Sequence, residues 1–231
     1  MHPGRVIEPV SVIIPCRDAA AFLARAIDSV VSQEPEPGEV IVVDDGSRDE
    51  SAKVAQSYGG SVRCVSQAPA GIAAARNHGI RLATGAIIGF LDADDLWPAG
   101  SLRHRLEILA ADATVGCSFG LVETFRDEGS RQAGPGFLPP TRPARLAGAM
   151  LVRRWVFDSI GGFDGTFRIG ETMDWVARLD DQHIVTRATD RVVLRRRVHA
   201  SNTVRRDSSL QTDYIRAMRA ALRRRQNAGT A

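Results

Sequence analysis

The sequence predicts an α/β protein with three layers, in which helices cover both faces of a mainly parallel central sheet. The first observation is that β-branched runs alternate with amphipathic helical patterns through the first half of the chain. The second is that three of these runs are followed directly by proline or aspartate, which are typical of strand ends and turns. The third is the composition, because 231 residues with 44% apolar and 25% charged side chains suit one large globular domain.

Each element of the first half has its own start or stop signal. Pro15 ends the first strand, and Asp18, either Ser47 or Asp49, and Asp95 are placed to cap the helices that follow three of the strands. Right-handed crossovers between the strands bring all of the strand ends to one rim of the sheet. The predicted elements are a strand at 10–15, a helix through 22–31, a strand at 39–43, a helix toward residue 58, a strand at 61–65, a helix at 73–83, a strand at 86–91 and a helix starting near residue 98.

The second half has a different rhythm, with shorter strands and a long segment rich in glycine, proline and arginine. That segment, at 125–143, is predicted to form a mobile loop, and Gly161-Gly162 is a typical helix stop. The final helix carries one apolar stripe, formed by Leu210, Tyr214, Met218 and Leu222. The predicted elements are strands at 115–122 and 149–152, helices from 154 and at 171–179, strands at 184–186 and 192–198, and a C-terminal amphipathic helix at 208–226.

Charge, cysteines and hydropathy limit the classes of protein to which the chain can belong. The net charge is only +3, but arginines crowd the last third of the chain, where they could contact phosphates, an acidic partner or a membrane surface. The three cysteines show no metal-type spacing, and no apolar run reaches the roughly 20 residues that span a bilayer. The first residues contain no signal core. We therefore expect a cytoplasmic protein without a transmembrane segment and without a nucleic-acid partner.

Acidic side chains follow two of the buried-type strands. Asp44 and Asp45 end the second strand, where they could accept hydrogen bonds from a base or a ribose, or could simply form a turn. Asp92 and Asp94 follow the fourth strand and are two residues apart. Carboxylates are costly to bring together unless a cation compensates them, and Mg²⁺ and Mn²⁺ prefer such oxygen ligands and bridge phosphate oxygens. The pattern predicts Mn²⁺ or Mg²⁺ at this rim, with a phosphate-bearing substrate.

Two phosphate-binding motifs are absent from the sequence. No Gly-x-Gly-x-x-Gly follows the first strand, which argues against a dinucleotide site, and there is no Gly-Lys-Ser/Thr loop. A nucleotidyltransferase would also place carboxylates and a metal on an α/β rim. It would need a glycine-rich, basic loop after the first strand, and the segment from Pro15 to Asp18 does not supply one.

Taken together and in order, these segments resemble the inverting glycosyltransferases of family 2, which have the GT-A fold. Each motif is weak alone, but the ordered set over roughly residues 10 to 200 is specific. The matching segments are VIIP at 12–15, VVDDGS at 42–47, GIAAARN at 71–77, FLDADD at 90–95, MLVRR at 150–154, GGFD at 161–164 and the helix at 171–178. The resemblance implies one GT-A domain over 1–231, with a nucleotide-binding half at 8–115, an acceptor and catalytic half at 116–205 and a helical tail at 206–231.

The resemblance also implies roles for residues at the rim. Asp92 and Asp94 would hold the metal and the sugar-diphosphate, and Ala93 between them would contact the substrate. Asp164 would either contact the ligand or only cap its turn, and Arg76 could instead be a structural tie. The residues expected in the base and ribose pocket or near the nucleotide are Pro15, Arg17, Asp45, Gly71 and Arg76.

The catalytic base is expected at the start of the helix at 171–179. An inverting transfer needs a carboxylate that takes the proton from the acceptor hydroxyl. The family has an acidic pair here, but this chain has Glu171 followed by Thr172, so the second acid is replaced. Glu171 is the preferred base and Asp174, one turn later, is the alternative. Both acids could instead only favour the positive end of the helix dipole.

A basic segment follows the last strand. The resemblance implies that His199 is a third metal ligand or a diphosphate contact, and that Arg197 and its neighbours steady the diphosphate. A structural histidine is the alternative.

The predicted activity is metal-dependent, inverting transfer of a sugar from a nucleotide-sugar, with a UDP-sugar as the expected donor. A saccharide, a lipid-linked glycan, a small natural product and a peptide side chain all remain open as acceptors. A binding module without catalysis is the non-enzymatic alternative, and the substitution at Thr172 keeps it open. The C-terminal helix could pack on the domain, on a second subunit in a homodimer, on an acidic peptide or on an anionic membrane.

Overall fold

The computed structural model describes residues 8–126, 141–199 and 210–228, and every structural statement below refers to them. The strands are β1 (Val10–Cys16), β2 (Glu39–Asp44), β3 (Val62–Ser66), β4 (Ile87–Phe90), β5 (Val115–Phe125), β6 (Arg142–Pro143), β7 (Leu151–Arg153) and β8 (Val185–Arg197). The helices are α1 (Ala20–Val31), α2 (Ser51–Gln56), α3 (Ile72–Leu82), α4 (Ser101–Ala111), α5 (Arg154–Ile160), α6 (Glu171–Asp181) and α7 (Leu210–Ala228), with a 3-10 turn at Ala147–Ala149.

One sheet runs through both halves of the described chain, in the order β3-β2-β1-β4-β7-β5-β6. The pairs β2–β3, β1–β2 and β1–β4 are parallel, and β7 is antiparallel to both β4 and β5. The strand β8 pairs in parallel with β5 outside this path. The prediction of a mainly parallel central sheet is confirmed.

The core lies on both faces of this sheet, because successive side chains of a strand point to opposite faces. In β1, Val12 and Ile14 belong to the apolar cluster that includes α1, whereas Ile13 belongs to the cluster beneath α3. Gly79 lets α3 approach β1 closely, since a Cβ at this position would collide with the Ile13 side chain. Buried strands covered on both faces explain why the first half reads as continuous apolar runs.

Two of the predicted helix caps are wrong, because Asp18 and Asp95 accept hydrogen bonds from backbone groups distant in sequence instead. The N-terminal end of α1 is capped by Asp49, whose Oδ2 accepts the Ala20 N–H at 2.9 Å, while Asp18 accepts the Arg48 N–H. Helix α4 begins after Gly100 rather than near residue 98, and it has no side-chain cap. Asp95 instead accepts the backbone N–H of Arg197 at 2.8 Å.

The C-terminal half differs from the prediction in two further places. The segments predicted as two strands at 184–186 and 192–198 form one strand, β8, whose pairing with β5 is interrupted by register shifts. Most of the loop predicted at 125–143 lies outside the described residues, as does the start of the helix predicted from 208.

The apolar stripe predicted on helix α7 does not face α6. Helix α7 lies against α6, and the residues that it buries are Asp213 and Ala217. Met218 and Leu222 of the predicted stripe are exposed. The contact favours a small side chain, because Ala217 lies close to the backbone of Gly170 at the start of α6. Within the described ranges, no helix is long and apolar enough to cross a bilayer.

Candidate active site

The candidate site lies at the carboxyl ends of β1, β2 and β4. The Asp45 N–H donates to the Cys16 carbonyl at 2.8 Å, and the Leu91 N–H donates to the Ile13 carbonyl at 3.0 Å. These bonds hold the segments that follow the three strands side by side. The amino ends of α3 and α6 reach the same rim, where Arg76 of α3 contacts Glu171 of α6.

Asp45 organises the loop between β3 and α3. Its carboxylate accepts the Ala70 N–H, the Gly71 N–H and the Gln67 side-chain amide, each at 2.8 Å. Gly71 has a φ of +92°, a conformation that L side chains rarely adopt. The loop that ends at Gly71 is therefore shaped by one buried carboxylate and one glycine.

The other residues expected in the base and ribose pocket lie beside this loop. Arg17 is exposed, and its guanidinium lies 3.7 Å from the Asp45 carboxylate. Pro15 is buried in β1 opposite Val43. Asp44 is also buried, and its Oδ1 accepts the Ser47 N–H at 3.2 Å. In this arrangement the Asp44 carboxylate stabilises the turn after β2.

Arg76 joins two of the predicted functional carboxylates. Its Nη2 lies 2.7 Å from Asp92 Oδ1, and its Nη1 lies 2.5 Å from Glu171 Oε1 and 3.2 Å from the Thr172 hydroxyl. The Arg76 side chain is 3% exposed, and its guanidinium carbon lies 5.4 Å from the centre of the Phe163 ring. Burial lowers the pKa of Arg76, but the Asp92 and Glu171 carboxylates outweigh burial and raise the pKa, so the guanidinium stays charged.

The acidic turn after β4 separates exposed from buried carboxylates. The side chains of Asp92 and Asp94 are 38% and 28% exposed, whereas Asp95 and Ala93 are buried. Burial raises the pKa of Asp95 well above its ordinary value, and the charges of Asp94 and Asp92 add to the rise. The turn thus presents two carboxylates to solvent and keeps the third beneath them.

Arg197 and His199 contact this turn from the end of β8. Arg197 is buried between the rings of Phe22 and Phe125, and its Nε donates to the Asp94 carbonyl at 2.8 Å. His199 Nε2 lies 2.9 Å from Asp94 Oδ2, and its ring lies 4.6 Å from that of Phe22 at an interplanar angle of 36°. Arg197 therefore holds the backbone of the acidic turn, while His199 contacts a carboxylate within it.

The two acids of α6 have different surroundings. Both oxygens of Asp174 are held by arginines, with Oδ2 3.0 Å from Arg178 Nε and Oδ1 2.8 Å from Arg224 Nη1. Glu171 Oε1 contacts Arg76 and accepts the Thr172 hydroxyl at 2.9 Å, and no described residue hydrogen-bonds to Oε2. Asp174 thus connects α6 to α7, whereas Glu171 faces Arg76 and the rim.

The turn at 161–164 is fastened by two residues to which the sequence argument gave no role. Asn77 donates its amide to the Phe163 carbonyl at 2.7 Å and accepts the Phe163 N–H at 2.8 Å. Arg178 donates to the Gly162 carbonyl at 2.6 Å. Asp164 accepts the Thr166 N–H, and this bond lowers the pKa of the Asp164 carboxyl. Asn77 and Arg178 both lie in segments that match the family, GIAAARN at 71–77 and the helix at 171–178, and these matches could have indicated that the two residues matter.

The donor set at the acidic turn fits a divalent cation that also binds a substrate phosphate. The described residues contain no group of three or more His, Cys, Asp or Glu side chains placed to hold a metal. Mg²⁺-type cations are commonly bound through one or two carboxylates, with substrate phosphates completing the coordination. Asp92 and Asp94 offer two partly exposed carboxylates of this kind, so the residues suit a metal that arrives with a diphosphate.

The family model for glycosyl transferase family 2 matches residues 11–170, which include all but the first residue of β1, the strands β2 to β4 and the acidic turn. The chain belongs to this family. The match ends just before Glu171, so the acids of α6 lie beyond it.

Two curated relatives are similar in sequence to this chain over part of their length. Succinoglycan biosynthesis protein ExoU of Rhizobium meliloti is 33% identical over 204 residues, which cover 73% of this chain and 56% of ExoU. The uncharacterized glycosyltransferase EpsJ of Bacillus subtilis is 34% identical over 119 residues, which cover 49% of this chain and 35% of EpsJ. The chain thus matches between about a third and just over half of the length of these relatives.

A solved structure confirms the fold. Residues 1–349 of S. aureus TarS, crystallised in complex with UDP, match with a TM-score of 0.68 and 16% identity. The match covers 92% of this family 2 chain and 64% of the TarS chain. The GT-A architecture expected from the resemblance is therefore present.

Proposed function

We propose that this chain transfers a sugar from a nucleotide-sugar, with UDP as the nucleotide, to an acceptor hydroxyl with inversion at the anomeric carbon. The single observation that carries the proposal is the buried Arg76, which links Asp92 of the acidic turn to Glu171 of α6. The Arg76 guanidinium thereby sets the distance between Asp92, which is proposed to bind the diphosphate through the metal, and Glu171, which is proposed to deprotonate the acceptor. Family membership and the UDP complex of TarS support the donor class.

In this proposal the nucleotide lies over the ends of β1 and β2. The loop ending at Gly71, shaped by Asp45, borders the base and ribose, and the exposed Arg17 lies beside it. Asp44 and Pro15 act from below, because their side chains are buried in the strand ends.

Asp92 and Asp94 would hold Mn²⁺ or Mg²⁺, and the bound cation would neutralise the negative charge of the leaving diphosphate. The partial exposure of both carboxylates supports this role. Arg197 holds the backbone of the turn, and His199 fixes the orientation of the Asp94 carboxylate. Ala93 and Asp95 face the interior and shape the turn.

Glu171 would act as the base that takes the acceptor proton on Oε2. Its Oε1 is held by Arg76 and Thr172. These two contacts fix the orientation of the carboxylate and therefore the position of Oε2. Asp174 has both oxygens occupied by arginines and is 2% exposed, which favours a structural tie. The reaction is then one displacement: the acceptor oxygen bonds to the anomeric carbon, the bond to the diphosphate oxygen breaks, and the proton moves to Glu171.

The test is to compare Glu171→Gln with the unmodified chain in UDP binding and in sugar transfer, with Mn²⁺ present. The amide keeps the size of the side chain but cannot accept the proton, so we expect UDP binding to persist and transfer to fall by about 10²-fold or more. Glu50→Gln is the matched control, since Glu50 is an exposed carboxylate paired with Lys53 on α2. Full transfer by Glu171→Gln would refute the assignment of the base.

A binding module is the second candidate, and the observation that favours it is Thr172 at the position where the family has an acid. Its hydroxyl holds Glu171 instead of supplying a second carboxylate. Calorimetry with UDP and Mn²⁺, followed by an assay of donor hydrolysis over a panel of nucleotide-sugars, separates the two functions. Binding without turnover of any donor would establish the module.

A further inference from the structure

Helix α7 presents an apolar ridge on the side opposite its contact with α6. Ile215, Met218 and Leu222 are 44%, 47% and 59% exposed, and they are among the few large apolar side chains exposed in the described residues. Their i, i+3, i+7 spacing places them on one face of the helix. The buried residues Asp213 and Ala217 lie on the other side, against α6. One side of the helix is therefore covered by α6, whereas the apolar side formed by Ile215, Met218 and Leu222 is exposed.

Arginines border this ridge. Arg216, Arg219 and Arg223 line an open cavity of about 280 Å³ together with Phe167 and Ala220. Arg216 pairs with Asp213 at 2.9 Å, whereas Arg219 and Arg223 form no salt bridge with any described residue. Guanidinium groups gathered in this way repel one another until an anion lies among them.

Charge along the chain is concentrated in this helix. Residues 210–228 contain five arginines and one aspartate, whereas the whole chain has a net charge of only +3. Two of the five, Arg224 and Arg225, pair with acids of α6, including Asp174 and Asp181. The arginines of α7 that form no salt bridge with any described residue, Arg219 and Arg223, thus flank the ridge.

We propose that this surface, formed by Ile215, Met218, Leu222, Arg219 and Arg223, docks the protein on an anionic lipid bilayer. An apolar ridge alone would suit many partners, but a ridge bordered by unpaired arginines is the pattern of a helix that lies in the membrane interface. The apolar side chains enter the boundary between headgroups and acyl chains, and the arginines contact lipid phosphates.

Docking through this ridge leaves the other contacts of α7 in place. Ala217 stays against Gly170, and Arg224 stays bound to Asp174. Gly170 directly precedes Glu171, so the bilayer would lie one helix diameter from the rim that carries the candidate site. The proposal concerns where the protein is held, and it stands whether or not the chemistry proposed for Glu171 is correct.

The test is co-sedimentation of the full chain with vesicles of phosphatidylcholine alone and of equal parts phosphatidylcholine and phosphatidylglycerol. We expect binding to the anionic vesicles, weakening with added salt, and no binding to the neutral ones. Arg219→Gln with Arg223→Gln should weaken binding on the order of twentyfold, since each basic residue near an anionic surface contributes about fivefold. Met218→Gln with Leu222→Gln should weaken it by about tenfold or more.

Arg187→Gln with Arg191→Gln is the matched control, because it removes two exposed positive charges from β8 and should leave binding unchanged. All of the substituted side chains are exposed, so each variant should keep the thermal unfolding midpoint of the parent. Failure to sediment with anionic vesicles, or equal binding to both lipids, would overturn the proposal. A concentration-dependent dimer seen by analytical ultracentrifugation would also overturn the proposal, if Met218→Gln with Leu222→Gln dissociates the dimer and vesicles do not.

Discussion

Replacing Arg76 with methionine tests the central contact of the site most directly. The substitution removes the cation but keeps an unbranched side chain, so Glu171 and Asp92 lose their shared partner. The Glu171 side chain is only 8% exposed, and removing one partner of a buried ion pair costs about 3–5 kcal/mol. Asp92 is 38% exposed, so solvent screens it and its share is small.

The assay is urea unfolding with linear extrapolation, together with a thermal scan. For a domain of this length, about 3–5 kcal/mol corresponds to a fall in unfolding midpoint of roughly 6–20 °C. The double variant Arg76→Met with Glu171→Gln should recover much of the loss, because the buried carboxylate is then neutral. Arg81→Met, at an exposed position of the same helix, is the control. A loss below about 1 kcal/mol for Arg76→Met, or no coupling to Glu171, would refute this reasoning.

Three smaller changes test the contacts around the site, each by urea unfolding. Asn77→Ala removes both amide bonds to the Phe163 backbone and should cost about 1–3 kcal/mol. Gly79→Ala should also cost about 1–3 kcal/mol, because its Cβ would collide with Ile13. Asp49→Ala should cost about 1 kcal/mol at neutral pH, through the lost cap of α1 and the lost hydrogen bonds from Ser51. Burial opposes ionisation of Asp49, but hydrogen bonds outweigh it and lower the pKa, so this cost should disappear as acid protonates the carboxyl below about pH 4.

The glycine and aspartate variants each have a control with the same chemical change at an open position. Gly165→Ala adds a methyl group where no other atom lies within 4 Å, so it should not destabilise the fold by steric collision. Asp190→Ala removes a carboxylate that is 92% exposed and should leave stability unchanged at every pH. If Gly79→Ala unfolds at the same urea concentration as the parent, α3 and β1 are less closely packed than the structure implies. A cost of Asp49→Ala that persists in acid would contradict the role of its charge.

Periodicity and strand-end residues predicted much of this fold. The apolar runs through Val12, Val42 and Ile88 each form a strand, and the acids that follow them reach one rim, because crossover chirality leaves little freedom. The caps predicted for α1 and α4 failed for a different reason. Asp49 caps a helix that begins 29 residues earlier in the chain, and only the assembled fold brings the two together.

Sequence patterns could not predict the packing of α7 or the contacts of Arg76, because both depend on tertiary contacts. A stripe of large apolar residues such as Leu222 is the usual packing face of a helix, yet α6 selects Ala217 because Gly170 approaches so closely. Arg76 and Glu171 are 95 residues apart, and nothing local to either position indicates that they pair. Tertiary contacts decided both outcomes.

The three-way contact of Arg76 has a consequence for the order in which the protein is assembled. During synthesis the amino-terminal half leaves the ribosome first, carrying Arg76 and Asp92 but not Glu171. At that stage the guanidinium has one of its two carboxylates and lacks the cover of α6. Closing the 95-residue span to Glu171 is therefore a late step, and a nascent chain halted before α6 would contain the strand ends of the rim without a finished catalytic centre.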